Sequence, residues 1–195
     1  MYEQIFKLHI RPFTTTPYVK HYFAAQSIHK ALSQCQICVE RGSGPVVVVG
    51  NLGTGKSLLL NLLADQFRDR FHIVNLSCAR LEKRHELLQS MLFNLNQPYR
   101  DMSEVELRLA LIDYLKPGGE CPDGILMLVD EAHRLSYELL DELRLITNIV
   151  YESQPRVRMV MAGGYQFEEN LTNPKLESFN QRIAARCFLA NLVRD

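Results

Sequence analysis

The sequence has neither an excess of one charge sign nor a long apolar run. Its 22 lysines and arginines balance 22 aspartates and glutamates, so no overall field attracts nucleic acid or an anionic membrane, and either partner would need a local patch. The longest apolar stretches, such as residues 46–49 and 125–129, fall far short of the roughly 20 residues in a membrane-spanning helix. Internal repeats and low-complexity tracts are also lacking. We therefore expect a soluble protein.

Cysteine is sparse and does not suggest a disulfide framework. The chain begins without the cationic-then-apolar pattern of a secretion signal, and its cysteines number five, an odd count. Together these features predict a reduced protein in the cytoplasm. Cys35 and Cys38 form a CxxC pair inside a helical pattern, and no second pair completes a tetrahedral zinc site. We interpret them as small buried residues, with metal or redox chemistry as the alternative.

The chain length and the positions of two prolines predict one domain preceded by a short segment. With 195 residues, of which 47% are apolar, the chain can bury one sizeable core but not two. Residues 1–24 contain several aromatic side chains and are interrupted by Pro12 and Pro17, so we expect an extended lead-in that packs on the core. Residues 25–195 then form the α/β domain.

Hydrophobic periodicity predicts helices that alternate with buried strands. Ser103 with Glu106 has the form of a capping box, and Ser136 can cap a long helix whose apolar face includes Val150. The predicted helices cover residues 26–41, 56–67, 81–95, 103–116 and 136–150, and the predicted strands cover 46–49, 73–74, 125–129 and 157–162. Such alternation predicts a parallel sheet with helices on both faces.

A glycine-rich segment follows the first predicted strand. Residues 50–57 fit the pattern GxxxxGK[ST] and lead directly into a predicted helix. The backbone N–H groups of such a loop, with the helix N-terminus, can surround phosphate oxygens. We expect Lys56 to reach the β- and γ-phosphates of ATP, and Ser57 to ligate Mg²⁺. An ordinary glycine-rich turn is the alternative. The predicted nucleotide-binding residues are Gly50, Asn51, Leu52, Gly53, Thr54, Gly55, Lys56, Ser57 and Leu58.

Two acidic residues end the third predicted strand, where ligands collect in open α/β sheets. Asp130 and Glu131 have the form of a Walker B element. Asp130 is expected to hold Mg²⁺ through a water, and Glu131 to orient and deprotonate the water that attacks the γ-phosphate. The alternative is a solvated turn or a helix N-terminus, where negative charge is favourable.

Two arginines near the end of the chain are candidates for a contact with phosphate. Arg182 and Arg186 lie in residues 179–186, which we expect to form a short helix-like stretch. A guanidinium stays charged and binds phosphate oxygens in a bidentate way, so either could act as an arginine finger on a neighbouring subunit's nucleotide, with Arg182 the first choice. The alternative is a routine surface salt bridge.

With these residues in place, the sequence resembles the ExeA-type AAA+ ATPases, the family of the general secretion pathway ATPase A protein. The resemblance covers nearly the whole chain, and its amino-terminal and QRI segments are its most selective parts. The matching segments are MYEQIF at residues 1–6, RPF at 11–13 with Pro17, GNLGTGKS at 50–57, LMLVDEAH at 126–133, residues 139–148, and FNQRIAAR at 179–186.

The resemblance implies a five-stranded AAA+ sheet, self-association into rings or arcs, and an active site completed between subunits. Related AAA+ proteins include transposition regulators that bind DNA. Two features depart from the family pattern. Gly163 and Gly164 stand where a polar sensor 1 side chain is common, with Tyr165 and Gln166 as weak substitutes, and the sequence stops at Asp195, before the expected helical lid. The membrane span and envelope-binding segment of full secretion-pathway versions are also missing, so a secretion role is not inherited.

Three rival interpretations stay open at this level. The letters DEAH at residues 130–133 suggest a helicase, but too few residues are left for a second RecA-like lobe; His133 is then a local structural or γ-phosphate-linked residue. The second is an interaction module that binds ATP and hydrolyses it slowly or not at all, which would accord with the lack of a polar side chain at the sensor 1 position. DNA binding is the third, although short charge runs usually form solvated faces. The basic residues concerned are Arg80, Lys83, Arg84, His85, Arg156 and Arg158.

Overall fold

The computed structural model describes residues 25–76, 81–118 and 123–191. The predicted lead-in over residues 1–24 lies outside these ranges, as do Cys78, Arg80 and Cys121. Within the ranges, helices and strands alternate along most of the chain. The helices are α1 (Gln26–Arg41), α2 (Lys56–Phe67), α3 (Arg84–Asn94), α4 (Glu104–Tyr114), α5 (Tyr137–Thr147), α6 (Tyr165–Leu171) and α7 (Glu177–Asn180), with 3₁₀ turns at Ala132–Arg134 and Pro174–Leu176. The strands are β1 (Val46–Gly50), β2 (His72–Asn75), β3 (Ile125–Val129), β4 (Val150–Tyr151), β5 (Gln154–Pro155), β6 (Val157–Gly163) and β7 (Ala185–Leu189).

Five strands form one sheet in the order β2-β3-β6-β1-β7, and every neighbouring pair is parallel. Strand β1 lies between β6 and β7, with Val46 in register with Val160 on one side and Ala185 on the other. Its valines are fully buried, as expected for a parallel strand covered on both faces. Because all the strands run the same way, their carboxyl ends meet at one edge of the sheet.

Helices cover both faces of this sheet. Val46 and Val48 point into a core shared with α1 and α2, whereas Val47 and Val49 point into a core shared with α3, α4, α5 and α6. The alternation follows from the period of two along a strand. The predicted α/β class is confirmed as a three-layer α/β/α sandwich around a parallel five-stranded sheet. Among the described helices, none is both long and apolar enough to cross a bilayer.

Capping side chains begin the helices where the sequence predicts them. The Ser103 hydroxyl accepts a hydrogen bond from the Glu106 N–H, and the Glu106 carboxylate accepts one from the Ser103 N–H at 2.7 Å. Ser136 accepts from the Leu139 N–H in the same way at the start of α5. These bonds satisfy N–H groups that have no partner within the helix.

Three predicted helices are longer than the observed ones, by a small margin in α4 and by three residues at one end in α3 and α5. Helix α3 begins at Arg84 because the Glu86 carboxylate accepts hydrogen bonds from the N–H groups of Glu82 and Lys83, which hold the preceding chain outside the helix. Helix α5 ends at Thr147, and Val150 belongs to the two-stranded hairpin β4–β5, where half of its surface is exposed. The prediction from apolar periodicity therefore placed the end of α5 too late in the sequence.

The stretch at residues 179–186 is not helical throughout, so this prediction is wrong. Helix α7 ends at Asn180, Arg182 lies in the following turn, and Arg186 lies in strand β7. Strand β7 was not recognised from the residue pattern. It is an edge strand whose residues alternate between buried and more exposed positions, and it supplies the fifth strand that the family resemblance implied.

Candidate functional site

The glycine-rich loop, which we call the P-loop, occupies residues 50–57 between β1 and α2. Gly55 caps α2 with φ +91°, in the left-handed region that favours glycine. A Cβ atom there would also lie 2.6 Å from Cδ1 of Ile28, because α1 packs beneath the loop. This position therefore requires glycine for both backbone conformation and space.

Polar side chains hold the loop in shape from within. The Lys56 ammonium group is buried and donates to the carbonyl oxygens of Gly50 at 2.9 Å and Asn51 at 2.8 Å. The Thr54 hydroxyl donates to the same Asn51 oxygen at 2.9 Å. An ammonium group has three hydrogens, so these two bonds leave one of them for a further acceptor. The lysine charge is thus fixed inside the loop.

A direct hydrogen bond joins the P-loop to the acidic pair after β3. The Ser57 hydroxyl donates to Oδ2 of Asp130, and Oδ1 of Asp130 accepts from the Glu131 N–H at 2.8 Å. Strand β6 separates β1 from β3 in the sheet, so the contact forms across the shared carboxyl edge. Hydroxyl and carboxylate oxygens side by side are the donors that Mg²⁺ prefers, and this pair fits a magnesium site.

Glu131 lies in a tight turn that brings its carboxylate close to the side chains of His133 and Arg134. Its backbone is left-handed, with φ 53° and ψ 36°. The carboxylate is 35% exposed, and its Oε2 lies 3.6 Å from Nε2 of His133 and 3.7 Å from Nε of Arg134. The sequence reasoning gave no role to Arg134, although its spacing of three residues from Glu131 places it in the same turn.

The end of β6 has no side chain for sensing the γ-phosphate. Gly163 is the last residue of the strand, and a Cβ atom there would lie 2.8 Å from Cβ of Phe167 on α6. Close packing of α6 against the sheet therefore requires glycine at this position. Gly164 precedes α6, and Tyr165 and Gln166 are exposed on its first turn.

Arg182 lies at the opposite end of the sheet from the P-loop. It precedes β7, and its backbone oxygen is close to Gly44, just before β1. The five residues of β1 span roughly 16 Å at about 3.3 Å per residue. The exposed Arg182 side chain donates to Oδ1 of Asn148 at the rim of a cavity of about 740 Å³. It is therefore directed away from the phosphate loop of its own chain.

Arg186 is held by partners within the chain. Its Nε lies 3.0 Å from Oε1 of Glu168 on α6, and its Nη2 donates to Oδ1 of Asn180. The guanidinium is only one-third exposed. Of the two candidate arginines, Arg182 is thus the one directed to solvent.

Of the basic residues considered for DNA binding, Arg156 is buried and Arg158 is partly buried. Arg156 is 5% exposed, and its Nε donates to the Leu115 oxygen at 2.7 Å. The Arg158 guanidinium lies 4.8 Å from the centre of the Phe71 ring and donates to the Asp123 oxygen at 2.9 Å. The expectation of a solvated face is wrong for Arg156, whereas Arg158 keeps part of its surface exposed. Both side chains have hydrogen-bond partners at the amino-terminal edge of the sheet.

Comparison with known proteins supports a family assignment. Residues 39–171 match the family model described as AAA domain. The chain is 30% identical over 193 residues to General secretion pathway protein A of Aeromonas hydrophila, an alignment that covers 98% of this chain and 35% of that protein. The chain thus spans about a third of the length of this curated relative.

Solved structures with similar folds include three archaeal proteins. Cdc6p from Pyrobaculum aerophilum matches with a TM-score of 0.70 at 20% identity, over 90% of this chain and 48% of that one. ORC2 of Aeropyrum pernix in its ADP form matches with a TM-score of 0.63 at 13% identity, over 96% and 52%. The Walker-type ATPase of Pyrococcus abyssi matches with a TM-score of 0.58 at 19% identity, over 92% and 57%. At these identities the likeness concerns the fold. The family match and the fold together establish that the chain belongs to the AAA domain family and has the P-loop core of an AAA+ ATPase.

Proposed function

We propose that this chain binds ATP with Mg²⁺ and hydrolyses it to ADP and phosphate, coupled to self-association or to remodelling of a partner. The observation that carries the proposal is the contact between Ser57 and Asp130. It brings a P-loop hydroxyl and a carboxylate together beside Glu131, so that phosphate binding, metal binding and proton transfer share one edge of the sheet.

Each residue at this edge has a distinct task. The backbone of residues 50–58 surrounds the phosphates, and Lys56 neutralises charge on the β- and γ-phosphates. Glu131 accepts a proton from the attacking water, since its partly exposed carboxylate can be reached by solvent. Ser57 and Asp130 would hold Mg²⁺, with Asp130 acting through a water as predicted from the sequence, and the bound ion would supply positive charge to the phosphate oxygens.

We further propose that Arg182 serves the site of a second copy of the chain. Its backbone lies roughly a strand's length from its own P-loop. A head-to-tail arrangement would instead bring it to the carboxyl edge of a neighbour. Heterologous contacts of this kind generate rings or open arcs. Arg186 is the second choice because Glu168 already pairs with it.

A mixing experiment tests this composite site. Arg182→Ala retains its own metal and water-activating residues, whereas Glu131→Gln retains its arginine. Each variant alone should release phosphate at least about 100-fold more slowly than the wild type. Mixing the two should restore activity, because some sites will combine an intact Glu131 with an intact Arg182. If the mixture remains as slow as the separate variants, Arg182 does not act between copies.

A second candidate function is favoured by one feature of β6. With glycine at positions 163 and 164, the strand carries no polar side chain to report on the γ-phosphate. An ATP-dependent interaction module that hydrolyses slowly or not at all would have this property. Such a module would associate when ATP is added without releasing phosphate, which separates it from the ATPase.

The proposed setting is the cytoplasm, since Cys35, Cys38 and Cys187 are free thiols. Besides a second copy of the chain, two partner classes are proposed: DNA, and an envelope component of secretion, as the name of the Aeromonas relative suggests. Retention on DNA columns with ATP, weakening as salt rises, would favour DNA. Retention that is independent of salt and of ATP would count against it.

A further inference from the structure

His133 contacts the carboxylate to which we assign the activation of water. The imidazole lies in the 3₁₀ turn directly after Glu131, and its Nε2 is 3.6 Å from Oε2 of that residue. This separation is longer than a hydrogen bond. A small rotation of the Glu131 side chain would shorten it to hydrogen-bonding distance.

The buried side of the ring determines where its proton lies. Nδ1 of His133 is buried and has no hydrogen-bond partner among the described residues. A buried N–H without a partner is rarer in proteins than an acceptor with unused capacity. This favours the neutral tautomer that carries its proton on Nε2, the nitrogen that faces Glu131. The imidazole thus presents a donor to the carboxylate.

The two side chains differ in exposure and in the number of rotatable bonds. The His133 side chain is only 23% exposed, and the preceding Ala132 is fully buried. Glu131 extends further into solvent and has more rotatable bonds. The imidazole is therefore the more restrained member of the pair, and the carboxylate is the member that the contact can orient.

We infer that His133 is a positioning residue that holds the Glu131 carboxylate in the orientation from which it accepts a proton from water. The inference rests on the proposed ATPase function and assigns to His133 an action through Glu131, without contact to the phosphates. The inference gives this positioning role to His133 and not to Arg134. Arg134 lies at a similar distance from the same oxygen, but its side chain is 76% exposed, and an exposed ion pair of this kind contributes little.

The test compares phosphate release and ATP affinity in a set of variants of the full chain. His133→Ala should lower kcat on the order of tenfold, the usual effect of removing a residue that orients a functional group, with the Kd for ATP unchanged. His133→Gln places an amide donor near the former Nε2 position and should restore most of the rate. His133→Asn places its donor near Nδ1 and should not. Arg134→Ala is the matched control and should keep the wild-type rate.

The decisive measurement is whether the effect of His133→Ala on the rate depends on Glu131. In a Glu131→Gln background, His133→Ala should cause no further loss, because the residue acts only through the carboxylate. A further tenfold loss there, or an equal loss in Arg134→Ala, would overturn the inference. If His133→Ala does not fold, the Gln and Asn variants decide, and equal rates for these two would overturn it. A Glu131→Gln variant that hydrolyses normally would instead overturn the proposed function, and this inference with it.

Discussion

The Ser57 hydroxyl donates a hydrogen bond to the Asp130 carboxylate, although 73 positions separate the two residues in the sequence. The parallel sheet brings them together, because β1 and β3 end at the same edge. This relationship is the basis for the magnesium site proposed above. It also predicts that the contribution of Ser57 to ATP affinity depends on Mg²⁺. A simple phosphate loop would show no such dependence.

Replacing Ser57 by alanine should weaken ATP binding in the presence of Mg²⁺ but have little effect in EDTA. The variant loses an oxygen ligand of the metal and keeps the backbone of the loop. Isothermal titration with and without Mg²⁺ measures both affinities. Ser33→Ala is a suitable control, since the Ser33 hydroxyl donates to the His29 oxygen within α1. An equal loss of affinity in both buffers would contradict the assignment of Ser57.

Gly163→Ala should destabilise the protein by about 1–3 kcal/mol, the usual cost of overpacking. The new methyl group would lie 2.8 Å from Cβ of Phe167, so α6 would have to shift. Gly164→Ala is a matched control, because no atom of the described residues, its chain neighbours aside, lies within 4 Å of its Cβ position and its φ of −72° is ordinary. Denaturant unfolding of both variants measures the difference, and equal stability would show that the packing at Gly163 is looser than described.

Arg156→Met should destabilise the protein without changing its retention on DNA. The substitution leaves the Leu115 carbonyl oxygen, now bound at 2.7 Å, without this partner, at a cost of about 1–3 kcal/mol. Arg68→Ala removes an exposed arginine whose ion pair with Asp65 is open to solvent, and should change stability by less than about 1 kcal/mol. If Arg156→Met left stability intact and abolished DNA retention, the interior role would be wrong.

The capping box of α4 should give a measurable dependence of stability on pH. Hydrogen bonds from the Ser103 N–H and hydroxyl lower the pKa of Glu106 below its ordinary value. A carboxylate with a depressed folded-state pKa stabilises the fold above its unfolded-state pKa, and this contribution is lost as pH falls through the folded-state value. Glu106→Gln should therefore lower the free energy of unfolding at pH 7, and the difference should shrink below about pH 4.

Glu104→Gln is the matched control for this experiment. Glu104 lies in the same first turn of α4 but is not the capping residue, so both variants remove one negative charge near the helix N-terminus. A pH dependence of equal size in the two variants would indicate that charge near the helix end, and not the capping box, is responsible.

Local features of the sequence predicted the parts of the fold that depend on neighbouring residues. The P-loop pattern, the Ser136 cap and the buried run of β3 were each predicted from a short segment. In each case the residues that form the pattern lie within a few positions of one another. The same holds for Asp130 and Glu131, which the end of β3 places at the carboxyl edge. The residues of the proposed magnesium site were predicted in this way.

Long-range packing determined the features that the residue pattern missed. Strand β7 is recognisable only from its pairing with β1, since a mixed sequence at a sheet edge has no continuous apolar run. Val150 fits the period of α5, but the chain turns into a hairpin in which Glu152 and Ser153 adopt left-handed backbone conformations. Likewise, the burial of Arg156 depends on a carbonyl group 41 positions away.

Phosphate release under saturating ATP and Mg²⁺, measured together with ATP binding, tests the central claim most directly. The wild-type chain should bind ATP and release phosphate at a rate that rises with protein concentration as sites are completed between copies. Glu131→Gln should bind ATP with similar affinity and release phosphate at least about 100-fold more slowly. A wild-type chain that binds ATP but releases no phosphate at any concentration, or a Glu131→Gln variant with the wild-type rate, would contradict the account.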